Sequence, residues 1–213
     1  MTQPERNRSI LSKYVPAGTE EILVNWIYHF DFKLKIKKSR TSKYGDYRPP
    51  YERANHHITI NNDLNPYAFL ITLVHEVAHL SCWQKHKDSV KPHGEEWKQE
   101  YKTLMKPFMN EQVFPDDILQ AVRNYLKDPA ASSCSDLGLQ RALKRYDRHN
   151  GLVLLEQLPA GALFTYNNNR QVFRKGKKVR TRFMCATADT QRHYLFNPLT
   201  EVKPVEITTG ATP

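Results

Sequence analysis

A chain of 213 residues, 39% hydrophobic and 25% charged, is long enough for one domain plus a small module, and its balance excludes a disordered or fibrous protein. Residues 1–18 hold no apolar leader-like run and no stretch is long enough to span a bilayer, so the expectation is a cytoplasmic protein without membrane contact. Net charge is +10 with a pI near 9.5, which favours a polyanionic partner, while Cys82, Cys134 and Cys185 are too isolated for a disulfide framework.

Residues 1–14 are polar and read as a flexible N-terminus. Thr19-Glu20-Glu21 reads as a helix start, with Ile22, Leu23, Trp26, Ile27 and Phe30 as its apolar face. Phe32, Leu34 and Ile36 alternate with Lys33, Lys35 and Lys37, the period of a half-buried strand whose lysines face water. A short strand is expected around 43–47, then a turn at Pro49-Pro50, then a strand over 56–61 with Ile58 and Ile60 inward. His56 and His57 read as exposed residues of that strand rather than as ligands.

Asn65 is a good N-cap and Pro66 suits the first helical position, so a helix begins there. Phe69, Leu73, Val77 and Leu80 make one apolar face, while Ala68, Thr72, His75, Glu76 and His79 fall on another. His75-Glu76-Val77-Ala78-His79 has the His-Glu-x-x-His spacing. Residues four apart share a helix face, so both imidazoles can reach one metal, and the glutamate beside them can serve as general base. Random placement of 9 His and 12 Glu in 213 residues gives about 0.02 such motifs, so two surface histidines on an ordinary helix are the weaker reading.

A catalytic zinc takes three protein ligands and keeps one position open. His93 is the candidate for the third, at the start of an amphipathic helix carrying Trp97, Tyr101, Leu104, Met105 and Phe108. His86, Glu96 and Glu100 are the competing ligands.

The run HEVAHL, a turn, and then HGEEW resembles the SprT-like family of zinc metalloproteases. The residues carrying the likeness are His75, Glu76, His79, His93, Gly94 and Trp97. Upstream, the segment from Arg40 to Tyr47, Ile58 to Asn61, and Leu64-Asn65 are also similar. The resemblance covers about residues 15 to 110 and implies an α+β, zincin-like helical metalloprotease core with a small sheet. It implies one zinc per chain on His75, His79 and His93, and Glu76 as the catalytic base of a metalloendopeptidase. Members act at DNA or on DNA-bound protein, which implies a protein substrate, single-stranded DNA or DNA-bound protein as partner, and possible association with the nucleoid.

Phe114-Pro115-Asp116-Asp117 opens a helix with Ile118, Leu119, Val122, Tyr125 and Leu126 as its stripe. Residues 128–136 read as a linker, followed by a short helix over 136–146. From Gly151 the pattern becomes short strands over 152–155, 162–166, 171–174, 179–186 and 193–196, with turns at Asn167-Asn168-Asn169 and Lys175-Gly176-Lys177. Family relatives often carry a zinc ribbon here. This chain has only Cys185, so the module must be held without metal by Phe164, Val172, Phe173, Phe183, Tyr194 and Phe196. The expected domains are thus 1–14 flexible, 15–127 protease, 128–150 linker and short helix, and 151–213 a small basic all-β module.

Arg170, Arg174, Lys175, Lys177, Lys178, Arg180 and Arg182 lie in one acid-free run with aromatics nearby, a pattern that suits phosphate neutralisation and base stacking. Two readings follow. One is a zinc peptidase acting on DNA-associated proteins. The other is a nucleic-acid-binding or adaptor protein whose zinc site is dormant.

Overall fold

The computed structural model describes residues 1–40, 43–50, 55–130, 136–148, 151–167 and 169–205. Thr41, Ser42, Cys134 and Asn168 lie outside them. The chain divides into two compact units, Met1–Asp147 and Arg148–Pro213, giving an α+β fold with a small all-β C-terminal module.

The first unit begins with helix α1, Gln3–Leu11, where the sequence suggested a flexible tail. A capping box decides it: the Glu5 backbone N–H donates to the Thr2 hydroxyl, and the Glu5 carboxylate accepts from the Thr2 backbone N–H at 2.7 Å. Leu11 and Val15 are buried in the main core, so this polar segment is anchored at its far end. Helix α2, Glu20–His29, follows.

Three strands come next: β1 (Phe32–Lys37), β2 (Gly45–Arg48) and β3 (His56–Asn61). Their order is β1-β3-β2, with β1 parallel and β2 antiparallel to β3. Phe32, Ile58 and Ile60 turn into the core, and Lys33, Lys35 and Lys37 stay exposed, as alternation demands. β2 is an edge strand.

Helix α3, Pro66–His86, runs through the centre. Asn65 caps it, its side-chain oxygen accepting from the Ala68 N–H at 3.0 Å. Every residue from Ala68 to Ala78 is buried, so the polar face of α3 is covered rather than wet. Its covers are β2 and helix α4, Glu95–Met105. Helices α5 (Asp116–Tyr125) and α6 (Leu137–Lys144) complete the unit. The short helix expected inside a linker belongs to this core, because Leu139, Ala142 and Leu143 are buried in it. The Asn65 amide also donates to Leu143 O at 2.9 Å and to the Asp147 carboxylate at 2.7 Å.

The second unit is an antiparallel sheet of six strands, ordered β4-β9-β5-β6-β7-β8. They are β4 (Val153–Leu154), β5 (Leu163–Thr165), β6 (Val172–Val179), β7 (Arg182–Thr187), β8 (His193–Phe196) and β9 (Glu201–Pro204). Leu155, Phe164, Phe173, Cys185 and Val202 form its core, with Phe183 and Phe196 packed on them. Tyr194, expected inside, is 45% exposed, with its ring edge-on to Phe173.

The turn expected at Lys175-Gly176-Lys177 is a β-bulge within β6. A Cβ on Gly176 would collide with the Met184 carbonyl oxygen, so that glycine serves a close backbone approach. The chain reverses instead between Val179 and Arg182, with Arg180 at φ 54°.

Candidate active site

His75 and His79 stand one turn apart on α3, and their Nε2 atoms are 3.2 Å apart. His93 arrives from the loop before α4. Its Nε2 lies 2.9 Å from that of His79 and 3.3 Å from that of His75. Among the described residues, these three are the group placed to hold a metal ion. Three nitrogens bonded to a tetrahedral zinc at about 2.0–2.1 Å lie about 3.3 Å from one another, so the donor set fits.

The competing ligands are elsewhere engaged or outside the group. Glu100 accepts from the Ser81 hydroxyl and the Lys85 ammonium, each at 2.6 Å. Neither Glu96 nor His86 joins the cluster. His56, read as exposed, is buried, with Nδ1 2.8 Å from the Tyr47 hydroxyl and its ring edge-on to Trp83. It is a packing residue.

The backbone at His93 stands at φ 59°, a left-handed conformation that costs a residue with a Cβ about 1 kcal/mol. The local frame holds it there: Pro92 restricts the approach, and Gly94 caps α4 immediately afterwards. Trp97 forms the floor. It is buried, and its ring centroid lies 4.7 Å from those of His75 and His93 and 5.3 Å from that of His79. Tyr101 stacks beneath Trp97 at 5.1 Å.

Burial shapes the electrostatics. It drives the His75 imidazole well below its usual range, aided by the charges His79 and His93 would carry. His79 falls to about 3, mainly by burial and then by His93, and His93 is lowered by burial. All three rings are therefore neutral near pH 7, the form that donates a lone pair to a metal.

Glu76 shares the cleft, a hollow of about 280 Å³ bounded by Gly45, Asp46, Tyr47, Glu76 and the three histidines. Burial pushes its carboxyl up to about 8, and the Asp46 carboxylate adds to the rise; Lys43, Arg40 and a hydrogen bond from the Tyr47 backbone N–H pull the other way. Gly45 is a candidate site residue that motif reading did not single out. A Cβ there would lie 2.8 Å from Glu76 Cγ and 2.8 Å from Thr72 Cγ2. Only a bare backbone lets β2 sit this close to α3. A glycine inside a short strand was the available signal.

Residues 20–117 match the family model described as the SprT-like family. That stretch is a SprT-like domain. The match spans α2 to the start of α5 and so contains His75, Glu76, His79, His93 and Gly45. At family level the SprT-like domain is a metallopeptidase. No curated protein and no solved structure matches the chain.

The basic run lies in the second unit, beyond the SprT-like match. Arg170, Arg174, Lys177, Lys178, Arg180 and Arg182 are exposed on or beside the β6–β7 hairpin. Lys175 does not share that exposure. It is buried, with its ammonium donating to Glu156 O at 3.2 Å and to Leu158 O at 2.5 Å, and it lies 4.3 Å from the Phe183 ring centroid. Alternation along β6 points Phe173 and Lys175 to the same inner face, where no phosphate can reach.

Proposed function

We propose that this protein is a zinc-dependent endopeptidase that cuts DNA-associated proteins. The observation that carries the reading is the convergence of three neutral imidazoles in one cleft with a carboxyl of raised proton affinity. A zinc ion held by His75, His79 and His93 would supply Lewis-acid polarisation of the scissile carbonyl and of the attacking water. The other roles belong to the chain. Glu76, in the same cleft as the three imidazoles, would accept a proton from the attacking water and return it to the leaving nitrogen. Among the described residues β2 is a sheet edge at the cleft, the kind of strand along which an extended peptide can lie. Gly45 keeps that strand within reach of Glu76.

The DNA part of the proposal rests on charge. Net charge is +10, and six exposed cations crowd the β6–β7 hairpin. The test is metal analysis beside a protease assay, with and without single-stranded DNA, for the native protein and Glu76→Gln. The expected result is about one zinc per chain in both, with cleavage by the native protein alone and faster when DNA is present. Cleavage retained in Glu76→Gln would overturn the mechanism, and indifference to DNA would remove the proposed partner.

A further inference from the structure

The cleft that gathers the imidazoles opens into a second, larger hollow of about 420 Å³, with Tyr47, His79 and His93 on the boundary of both. Its lining also includes Cys82 and Trp83 from further along α3, Val90 from the loop after it, and Trp97 from α4. None of these four carries a charge at neutral pH, since burial pushes the Cys82 thiol up. The charged groups Lys87, Asp88 and Lys91 are exposed at the rim, with the Lys87 ammonium 3.9 Å from the Trp83 ring centroid.

The walls are braced before anything binds. The Tyr47 hydroxyl is held by His56, the His56 ring is edge-on to Trp83 at 5.3 Å, and Trp97 stacks on buried Tyr101. A preformed, mostly apolar hollow that joins a reactive cleft is where a substrate side chain is read.

We propose that this hollow is a selectivity pocket for a large apolar or aromatic side chain of a peptide, one flanking the bond that lies in the cleft. The proposal rests on the peptidase reading above. Glu76 and Asp46 line the cleft and not the hollow, whereas Cys82, Trp83, Val90 and Trp97 line the hollow and not the cleft. A carboxylate or ammonium in this hollow would lose water, and the counter-ions within reach, Lys87, Lys91 and Asp88, are solvent-exposed, where pairing gains little, so a charged side chain is disfavoured. A Phe or Leu would bury apolar surface there.

The experiment uses zinc-loaded full-length Glu76→Gln protein and fluorescein-labelled peptides in a Gly/Ser/Ala background, each with a single Phe, Leu, Asp or Ala at one position. Binding is read by fluorescence anisotropy. The Phe and Leu peptides should bind at least about tenfold more tightly than the Ala peptide, and the Asp peptide no more tightly. Adding Cys82→Phe should fill the hollow and reduce that advantage to about twofold. Val90→Phe fills it from the loop side and serves if the helix variant misfolds. Equal binding across the panel, or an advantage that survives in both filled variants, would overturn the proposal. Native protein is then given a denatured protein substrate and its cut sites are read by mass spectrometry. Cuts without apolar enrichment at any fixed position refute the pocket and leave the peptidase standing. No cuts at all, with the binding preference intact, refute the peptidase and leave the pocket standing.

Discussion

The protonation of Glu76 offers the sharpest measurement on the metal-free protein. Its carboxyl is raised from 4.5 to about 8 in the fold, first by burial and then by Asp46. Between those two values the folded chain keeps a proton that the unfolded chain has released. Stability from this group is therefore complete below pH 4.5, declines as pH rises, and levels off above about 8. A shift of this size corresponds to about 5 kcal/mol, and structural relaxation brings the expected loss to about 3–5 kcal/mol. That is a large part of the total stability of a domain.

The histidines act in the opposite sense. Their folded values lie below 6.5, so they cost stability as pH falls below that value. Both effects are present in the native protein, but Glu76→Gln retains only the second. The difference between the two proteins isolates the carboxyl. Urea unfolding of chelator-treated samples from about pH 5 to about pH 8.5, followed by tryptophan fluorescence, measures it. Trp26, Trp83 and Trp97 are the three tryptophans and all lie in the first unit, so the signal reports that unit alone. The variant should become the more stable protein as pH rises. A difference that stays constant across this range, or moves the other way, would refute the reasoning. Adding zinc should flatten it, because a cation beside Glu76 favours the carboxylate.

Gly45→Ala should keep the zinc content but lower peptidase kcat/KM by at least about 100-fold, since the added methyl displaces Glu76, with a stability cost of about 1–3 kcal/mol. His93→Gly and His93→Ala should both lose zinc, and the metal-free Gly variant should have the higher thermal midpoint of the two, because both lose the ring contacts but only Gly relieves about 1 kcal/mol of left-handed strain. In the second unit, Lys177→Gln or Arg182→Gln should each reduce the salt slope of DNA binding by about one, whereas Lys175→Gln should leave the slope alone and destabilise the module by about 1–3 kcal/mol.

The helical half of the candidate site was legible because local periodicity governs it. His75 and His79 share a helix face for any helix that includes them, and Asn65-Pro66 declares where that helix begins. The alternation of β1 and β3 was equally plain, since one face packs on the core and the other meets water. Other features carried no such local signature. The hairpin at Arg180–Thr181 uses a positive φ without Gly or Asn, while the conspicuous Lys-Gly-Lys became a bulge because the Met184 carbonyl crosses there. α1 looked like a loose tail because its anchor is one buried leucine and a capping box, not an apolar stripe.

By itself, then, the sequence determined most of the element types, the helix bearing His75 and His79, and the helix face those two share. All of these follow from interactions within a few residues. Only the tertiary structure decided that His93 closes the triangle rather than Glu96, Glu100 or His86, that Gly45 brings β2 against Glu76, and that Lys175 is sealed among carbonyls instead of facing phosphate. Each depends on the packing of segments distant in the chain, and burial, which sets both the proton affinity of Glu76 and the use of a lysine, does not exist until that packing is made.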